Sequence, residues 1–162
     1  MRILLVCLGN ICRSPTAEAA LREALGEAGL DDQVTVESAG TGDWHVGQPR
    51  DRRMVEAAAA MGLTVDGLAR LVDPGDFERY DLILAMDRAN FTDLHRVAPN
   101  EDARRKIRLF RSFEEGADSD EVPDPYYGGE ESFRRVVDIA RAGAKGVVAH
   151  VRAQLAAGEP RR

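Results

Sequence analysis

Cys7 and Arg13 are separated by Leu8-Gly9-Asn10-Ile11-Cys12 and followed at once by Ser14. A thiol, a planar cation and a short Gly-Asn loop between them suit one chemistry, in which backbone N–H groups hold an oxyanion while a thiolate attacks it. Gly9 permits a torsion or a close backbone approach that a side chain would hinder; Asn10 tolerates left-handed torsions while its amide ties the loop together. Successive N–H groups of such a loop form a concave nest for an anion. Arg13 can return a planar fork to two phosphate oxygens, a geometry that Lys lacks. Leu8, Ile11 and Cys12 complete the cradle. A lone cysteine is more commonly a buried, inert thiol, but a nest that attracts phosphate also favours thiolate over thiol, so Cys7 reads as a nucleophile. Ser14 has two compatible uses, donating its hydroxyl to that thiolate or capping a helix.

A second cluster lies at Val122-Pro123-Asp124-Pro125-Tyr126-Tyr127-Gly128-Gly129. Two prolines hold Asp124 in a stiff, extended setting. Asp and Pro also dominate plain turns. Set beside the Cys7 loop, however, thiolate attack on a phosphate monoester needs a general acid for the leaving oxygen. A carboxyl close to a thiolate and a phosphate dianion is pushed towards the protonated form that this task requires. Trp44 is the only tryptophan and sits in the Gly-rich stretch Ser38 to Gly47, a loop by composition. With Tyr126 and Tyr127 it can wall a pocket in which a phenyl ring lies flat; the alternative is a staple packing the loop onto the body. His45 reads as a hydrogen-bonding strut in that loop. Asp87 either buttresses the cradle or begins the next helix.

Other chemistries for the same residues fail. The chain has two cysteines, and His45, His95 and His150 lie far from them in sequence, so no metal site is expected. No Gly-x4-Gly-Lys run exists to bind a nucleotide, and the lysines, Lys106 and Lys145, lie elsewhere. A thioredoxin-type pair would place two residues between its cysteines, not four. No cofactor is implied. A net charge of −6 and a pI near 5.1 argue against nucleic acid as the main partner and against a polybasic membrane anchor. No run approaches membrane-spanning length and no secretory segment is visible. Two nearby cysteines with chemical roles fit a reducing cytoplasm.

Strands and helices must bring these groups together. At 162 residues, 44% hydrophobic and 31% charged, the chain is expected to form one domain with its own core, its last few residues disordered. Ile3-Leu4-Leu5-Val6 is the continuous apolar run of a buried parallel strand. Behind the loop, Pro15 suits a first helical turn, and Leu21, Ala24, Leu25 and Ala28 recur at helical spacing. A strand, a tight loop and a helix N-terminus in succession direct N–H groups and the positive helix end at one spot. Gln33–Glu37 alternates like an edge strand. Leu82–Met86 and Ile107–Phe110 are further strand candidates, with helices over Pro49–Met61 and Ala89–Val97. A final helix keeps Phe133, Val136, Val137, Ala140, Ala144, Val147, Val148, Val151 and Leu155 on one face. Gly143 and Gly146 inside it each cost about 1 kcal/mol relative to Ala, which points to close packing there. The alternation gives an α/β fold: a small four-stranded parallel sheet with helices on both faces, in three layers, and the phosphate loop after the first strand. Ligands in such sheets bind beyond the carboxyl ends of the strands.

Taken together, these segments resemble the low-molecular-weight protein tyrosine phosphatase family over nearly the whole chain. Cys7 to Pro15 is similar to its phosphate loop, Ser38 to Gly47 with Pro49 and Asp51 to its variable loop, Met86-Asp87 to its third strand end and Asp124-Pro125-Tyr126-Tyr127 to its general-acid loop. The resemblance implies hydrolysis of protein phosphotyrosine through a cysteinyl-phosphate, with Cys7 as nucleophile, Arg13 as phosphate clamp, Asn10 and Ser14 as supports and Asp124 as acid, then base. Its partners would be tyrosine-phosphorylated proteins and a cognate tyrosine kinase, and the protein itself would be a monomer or weak dimer. Gly67 departs from the pattern, standing where members often carry a His that supports the loop near Asn10. Arsenate reductases of this fold need further cysteines after Cys12, and arginine phosphatases tend to have Thr at Ile11 and to lack the tyrosine pair. A catalytically silent phosphate-binding module would lack Cys7 or Asp124.

Overall fold

Four short segments line up as parallel strands in a computed structural model that describes residues 1–158, the two central ones apolar and buried on both sides. They are β1 (Arg2–Cys7), β2 (Thr35–Gly40), β3 (Leu82–Ala85) and β4 (Ile107–Leu109), in the order β2-β1-β3-β4. The expected four-stranded parallel sheet is thus present. The helices are α1 (Arg13–Glu27), α2 (Arg52–Ala60), α3 (Asp76–Arg79), α4 (Arg88–Val97), α5 (Glu101–Arg105) and α6 (Glu130–Ala156). Two apolar clusters cover the two sheet faces. One joins Ile3 and Leu5 of β1 to Leu21 of α1, Met54 of α2 and the Val136–Val151 stripe of α6. The other joins Leu4 and Val6 to Phe77, Leu94 and Ala103 of α3, α4 and α5. Alternate residues of β1 feed opposite clusters, the period-2 consequence of a strand buried on both faces.

Several boundaries differ from expectation. The second strand lies two to three residues later than Gln33–Glu37, because it pairs along the whole of β1, from Arg2 with Thr35 to Cys7 with Gly40. Ser38, Ala39 and Gly40 therefore belong to a strand and not to the loop. Phe110 leaves β4 to start a 3₁₀ turn, Phe110–Phe113. α2 begins only at Arg52, where Asp51 caps it by accepting from the Arg53 N–H; Pro49 instead forms an isolated bridge with Leu68. α6 extends through Glu130–Ala156. Its two glycines are packing devices: a Cβ on Gly143 would enter the Phe110 ring, and one on Gly146 would run into the Phe113 carbonyl. The terminal residues expected to be disordered lie outside the described region.

Candidate active site

β1 ends on Cys7 and α1 begins on Arg13, so both are fixed by regular structure while residues 8–12 turn between them. Asn10 has φ 56°, and among the described residues it is the only one besides glycines with a positive φ. That turn aims its backbone N–H at Cys7 Sγ, 3.3 Å away. Ser14 Oγ lies 3.0 Å from the same sulfur. Ser14 is not the helix cap. Cys12 occupies that position without a side-chain hydrogen bond, and the Ser14 hydroxyl is held instead among sulfur, Asn10 Nδ2 at 2.9 Å and the loop's interior. Asn10 and Ser14 are fully buried and outside the cleft lining; they brace the loop and do not wall it. Gly40 lets the neighbouring strand come close, since a Cβ there would lie 2.6 Å from the Leu8 carbonyl oxygen. At Gly9 the reason is close approach rather than torsion: a Cβ would sit 3.0 Å from the His45 ring.

Arg13 is buried and anchored through one terminal nitrogen. Nη1 donates to Asp87 Oδ2 at 2.6 Å and to the Val122 carbonyl at 3.0 Å, while Nη2 stands 3.7 Å from Asp124 Oδ2. Anchoring at one corner sets the orientation of a planar guanidinium. Burial works against its charge, yet Cys7, Asp87 and Asp124 outweigh burial and hold its pKa above the ordinary value. Asp87 serves both of its expected uses. It caps α4 in a reciprocal box with Asn90 and grips Arg13 with its other oxygen.

The Asp124 segment crosses the carboxyl end of the sheet because its start is tied to β3 and β4. The Val122 N–H donates to the Met86 carbonyl at 2.8 Å, and buried Arg111 donates to the Glu121 carbonyl at 2.8 Å. Asp124 turns the chain by accepting from the Tyr126 N–H at 3.1 Å and keeps its carboxyl half exposed. From α2, Arg53 donates to the Tyr126 carbonyl at 2.9 Å and lies over the Tyr126 and Phe133 rings. Tyr126 and Tyr127 meet edge to face at 5.0 Å. Tyr126 is half-buried, whereas Tyr127 is 96% exposed. Trp44, 67% exposed, folds its ring over Gly42 and edges the cleft on the other side. His45 bonds Gln48 across the loop at 3.0 Å, the expected strut, and also faces the cleft.

A cleft of about 350 Å³ thereby has Cys7, Gly9, Cys12 and Arg13 at its base, Asp124 to one side, and Leu8, Ile11, Trp44, Tyr126 and Tyr127 around its mouth. Residues 2–157 match the model of the low molecular weight phosphotyrosine protein phosphatase family. The chain belongs to this family. Among relatives, this phosphatase is 43% identical to the low molecular weight protein-tyrosine-phosphatase of Streptomyces coelicolor, over 95% of each chain. It superimposes on a crystal structure of a protein tyrosine phosphatase from Entamoeba histolytica, with Hepes in the active site, at a TM-score of 0.92 and 39% identity, over 94% of this chain and 97% of that one. The YwlE arginine phosphatase structure shares the fold at a TM-score of 0.81, 24% identity and coverage of 94% and 96%.

Three residues around the phosphatase's loop were not among the expected site residues. Arg50, Glu18 and Arg70 all lie behind it. Arg70 donates its backbone N–H to Asn10 Oδ1 at 3.0 Å. Ser38 links Asn10 Nδ2 at 3.0 Å to the Glu18 carboxylate at 2.5 Å. Arg50 reaches the Asn10 carbonyl at 2.7 Å. Gly67, the expected departure from the family pattern, faces Arg50: a Cβ there would lie 3.3 Å from the Arg50 guanidinium. Among the described residues, no group of three or more His, Cys, Asp or Glu side chains is placed to hold a metal. No described helix is long and apolar enough to cross a membrane.

Proposed function

We propose that this chain removes phosphate from tyrosine side chains of proteins in two steps, through a phosphoryl group carried on Cys7. The observation that carries this reading is the common cleft: a strand end, a helix start and a Pro-Asp-Pro loop contribute Cys7, Arg13 and Asp124 to one lining. The Cys7 thiolate attacks phosphorus in line with the phenol oxygen. The P–O bond breaks, Asp124 gives its proton to the leaving oxygen, and Cys7 Sγ keeps the phosphoryl group. Arg13 and the loop N–H groups hold the equatorial oxygens throughout, where a preorganised donor set is worth most. The Asp124 carboxylate then takes a proton from water, whose oxygen attacks phosphorus and returns phosphate and free thiolate.

Phosphotyrosine is favoured by reach and by walls. Cys7 is 3% exposed at the base of the cleft, and the aromatic rings at its mouth suit a flat phenyl group. The remaining elements of the reading are a reducing, cytoplasmic setting, a cognate tyrosine kinase that supplies the substrate, a monomer or weak dimer, and sensitivity of Cys7 to peroxide. Initial rates on phosphotyrosine, phosphoarginine and phosphoserine peptides and on arsenate test the substrate class, with phosphotyrosine expected to lead. Cys7→Ser is expected to lose turnover while still binding phosphopeptide by calorimetry. Near-normal turnover in that variant, or a lead for phosphoarginine, overturns the reading.

A further inference from the structure

Arg50 sits between Pro49 and the α2 cap Asp51, yet it is only 8% exposed. A guanidinium buried to that degree must be paired on every side or it is strongly destabilising. Its partners converge on one residue of the phosphate loop. Nη1 donates to the Asn10 carbonyl at 2.7 Å and to Asn10 Oδ1 at 3.0 Å. Nε donates to the Asp66 carbonyl at 2.9 Å, and Nη2 approaches Ser38 Oγ at 3.4 Å and Glu18 Oε1 at 3.7 Å. Gly67, with φ +93°, leaves the room that the guanidinium occupies. Asn10 is the residue whose left-handed torsion aims an N–H at the Cys7 sulfur. A left-handed non-glycine residue persists where its surroundings over-determine it. Arg50 clamps this one at two oxygens, and Ser14, Ser38 and the Arg70 N–H hold the rest of its amide.

We propose that Arg50 is a positioning residue for the phosphatase reaction: it locks Asn10 in its left-handed turn, so that the loop stays shaped for phosphate, and adds a second permanent positive charge behind the Cys7 thiolate. The inference rests on the proposed chemistry at Cys7. Burial pulls the Arg50 pKa down from its ordinary value, against Glu18, Cys7 and Asp66, which pull it up; a guanidinium stays charged regardless. The other charges in this field are Arg22 on α1 beside Glu18 and Arg13 with its partners Asp87 and Asp124; Cys12 in the loop is held neutral by burial. None of them bonds both oxygens of Asn10.

The test uses the full chain with Arg50→Gln and Arg50→Lys. Two values are read: the pH midpoint of Cys7 alkylation by iodoacetamide, located by tandem mass spectrometry, and the affinity for inorganic phosphate by calorimetry. Neither depends on phosphotyrosine turnover, so a wrong substrate class would leave them intact. Arg50→Gln removes the charge and is expected to raise the alkylation midpoint by about one pH unit and to weaken phosphate binding about tenfold. Arg50→Lys keeps the charge without the fork, so it should hold the midpoint while still weakening phosphate binding. A merely structural Arg50 would lower the melting temperature and the binding stoichiometry, leaving midpoint and affinity of the folded protein at wild-type values; that result overturns the proposal. Should Arg50→Gln not fold, Arg50→Lys decides alone, and wild-type phosphate affinity in it rejects the clamp.

Discussion

Replacing Asp87 separates two jobs that one carboxylate performs. Oδ1 caps α4 by accepting from the Asn90 N–H at 2.8 Å, and Oδ2 holds Arg13 Nη1 at 2.6 Å. Asn caps a helix about as well as Asp, so Asp87→Asn keeps the cap and loses the charge, whereas Asp87→Ala loses both. Removing one member of a fully buried ion pair costs about 3–5 kcal/mol. Here Asp87 is one-fifth exposed and Arg13 retains the Val122 carbonyl, so about 2 kcal/mol is the expected destabilisation for Asp87→Asn. Ala should add about 1 kcal/mol for the lost cap. Because the Asp87 contact also sets the angle of the Arg13 fork, phosphate inhibition should weaken about tenfold in both variants, which is about 1.4 kcal/mol. Urea unfolding supplies the stabilities and competitive inhibition by phosphate supplies the affinities. Equal stability of the Asn and Ala variants refutes the cap. Unchanged phosphate inhibition in both refutes the claim that Asp87 orients Arg13.

Asp124→Asn should slow phosphotyrosine peptide turnover by about 10²–10⁴-fold and spare an activated aryl phosphate whose leaving group needs little protonation; equal losses on both substrates would make Asp124 structural. Gly146→Ala, which helix propensity alone would favour by about 1 kcal/mol, should instead destabilise the protein by about 1–3 kcal/mol, since the added Cβ meets the Phe113 carbonyl, and a stabilised variant in urea titration would contradict that packing. Mild peroxide should oxidise Cys7 to a sulfenic acid that condenses with the Cys12 thiol, forming a disulfide and releasing water. Burial chiefly, with Asp51 and Cys7, pushes the Cys12 thiol up, so Cys12 waits as a protonated thiol. Cys12→Ser should make the inactivation largely irreversible, and a wild-type protein that goes straight to sulfinic Cys7 without a two-proton mass loss would dismiss this rescue.

What could be read in the chain was chemistry fixed by neighbours in sequence. The strand, loop and helix around Cys7 declare themselves because each of Cys7, Gly9, Asn10, Arg13 and Pro15 has a local reason to be where it is. Asp124 is legible for the same reason, since two prolines restrict it whatever surrounds it. The errors share the opposite cause. β2 was displaced because its extent is set by pairing with β1, from Arg2 to Cys7, and not by its own alternation. Ser14 has two compatible uses in sequence, and only the fold of the loop, which brings its hydroxyl to 3.0 Å from the Cys7 sulfur, selects that one over the cap. Arg50 is the extreme case. Among 22 lysines and arginines, nothing in its sequence surroundings marks it as buried, for its partners Asn10, Ser38, Glu18 and Asp66 come from four separate segments. The loop's nucleophile can therefore be recognised from eight consecutive residues, while the stiffness that makes the loop useful is distributed over more than fifty. A chain that retained Cys7 to Ser14 but lost Arg50 and Ser38 would carry the motif with only Ser14 and the Arg70 N–H left to hold Asn10, and the N–H that stands 3.3 Å from the Cys7 sulfur would be held less firmly.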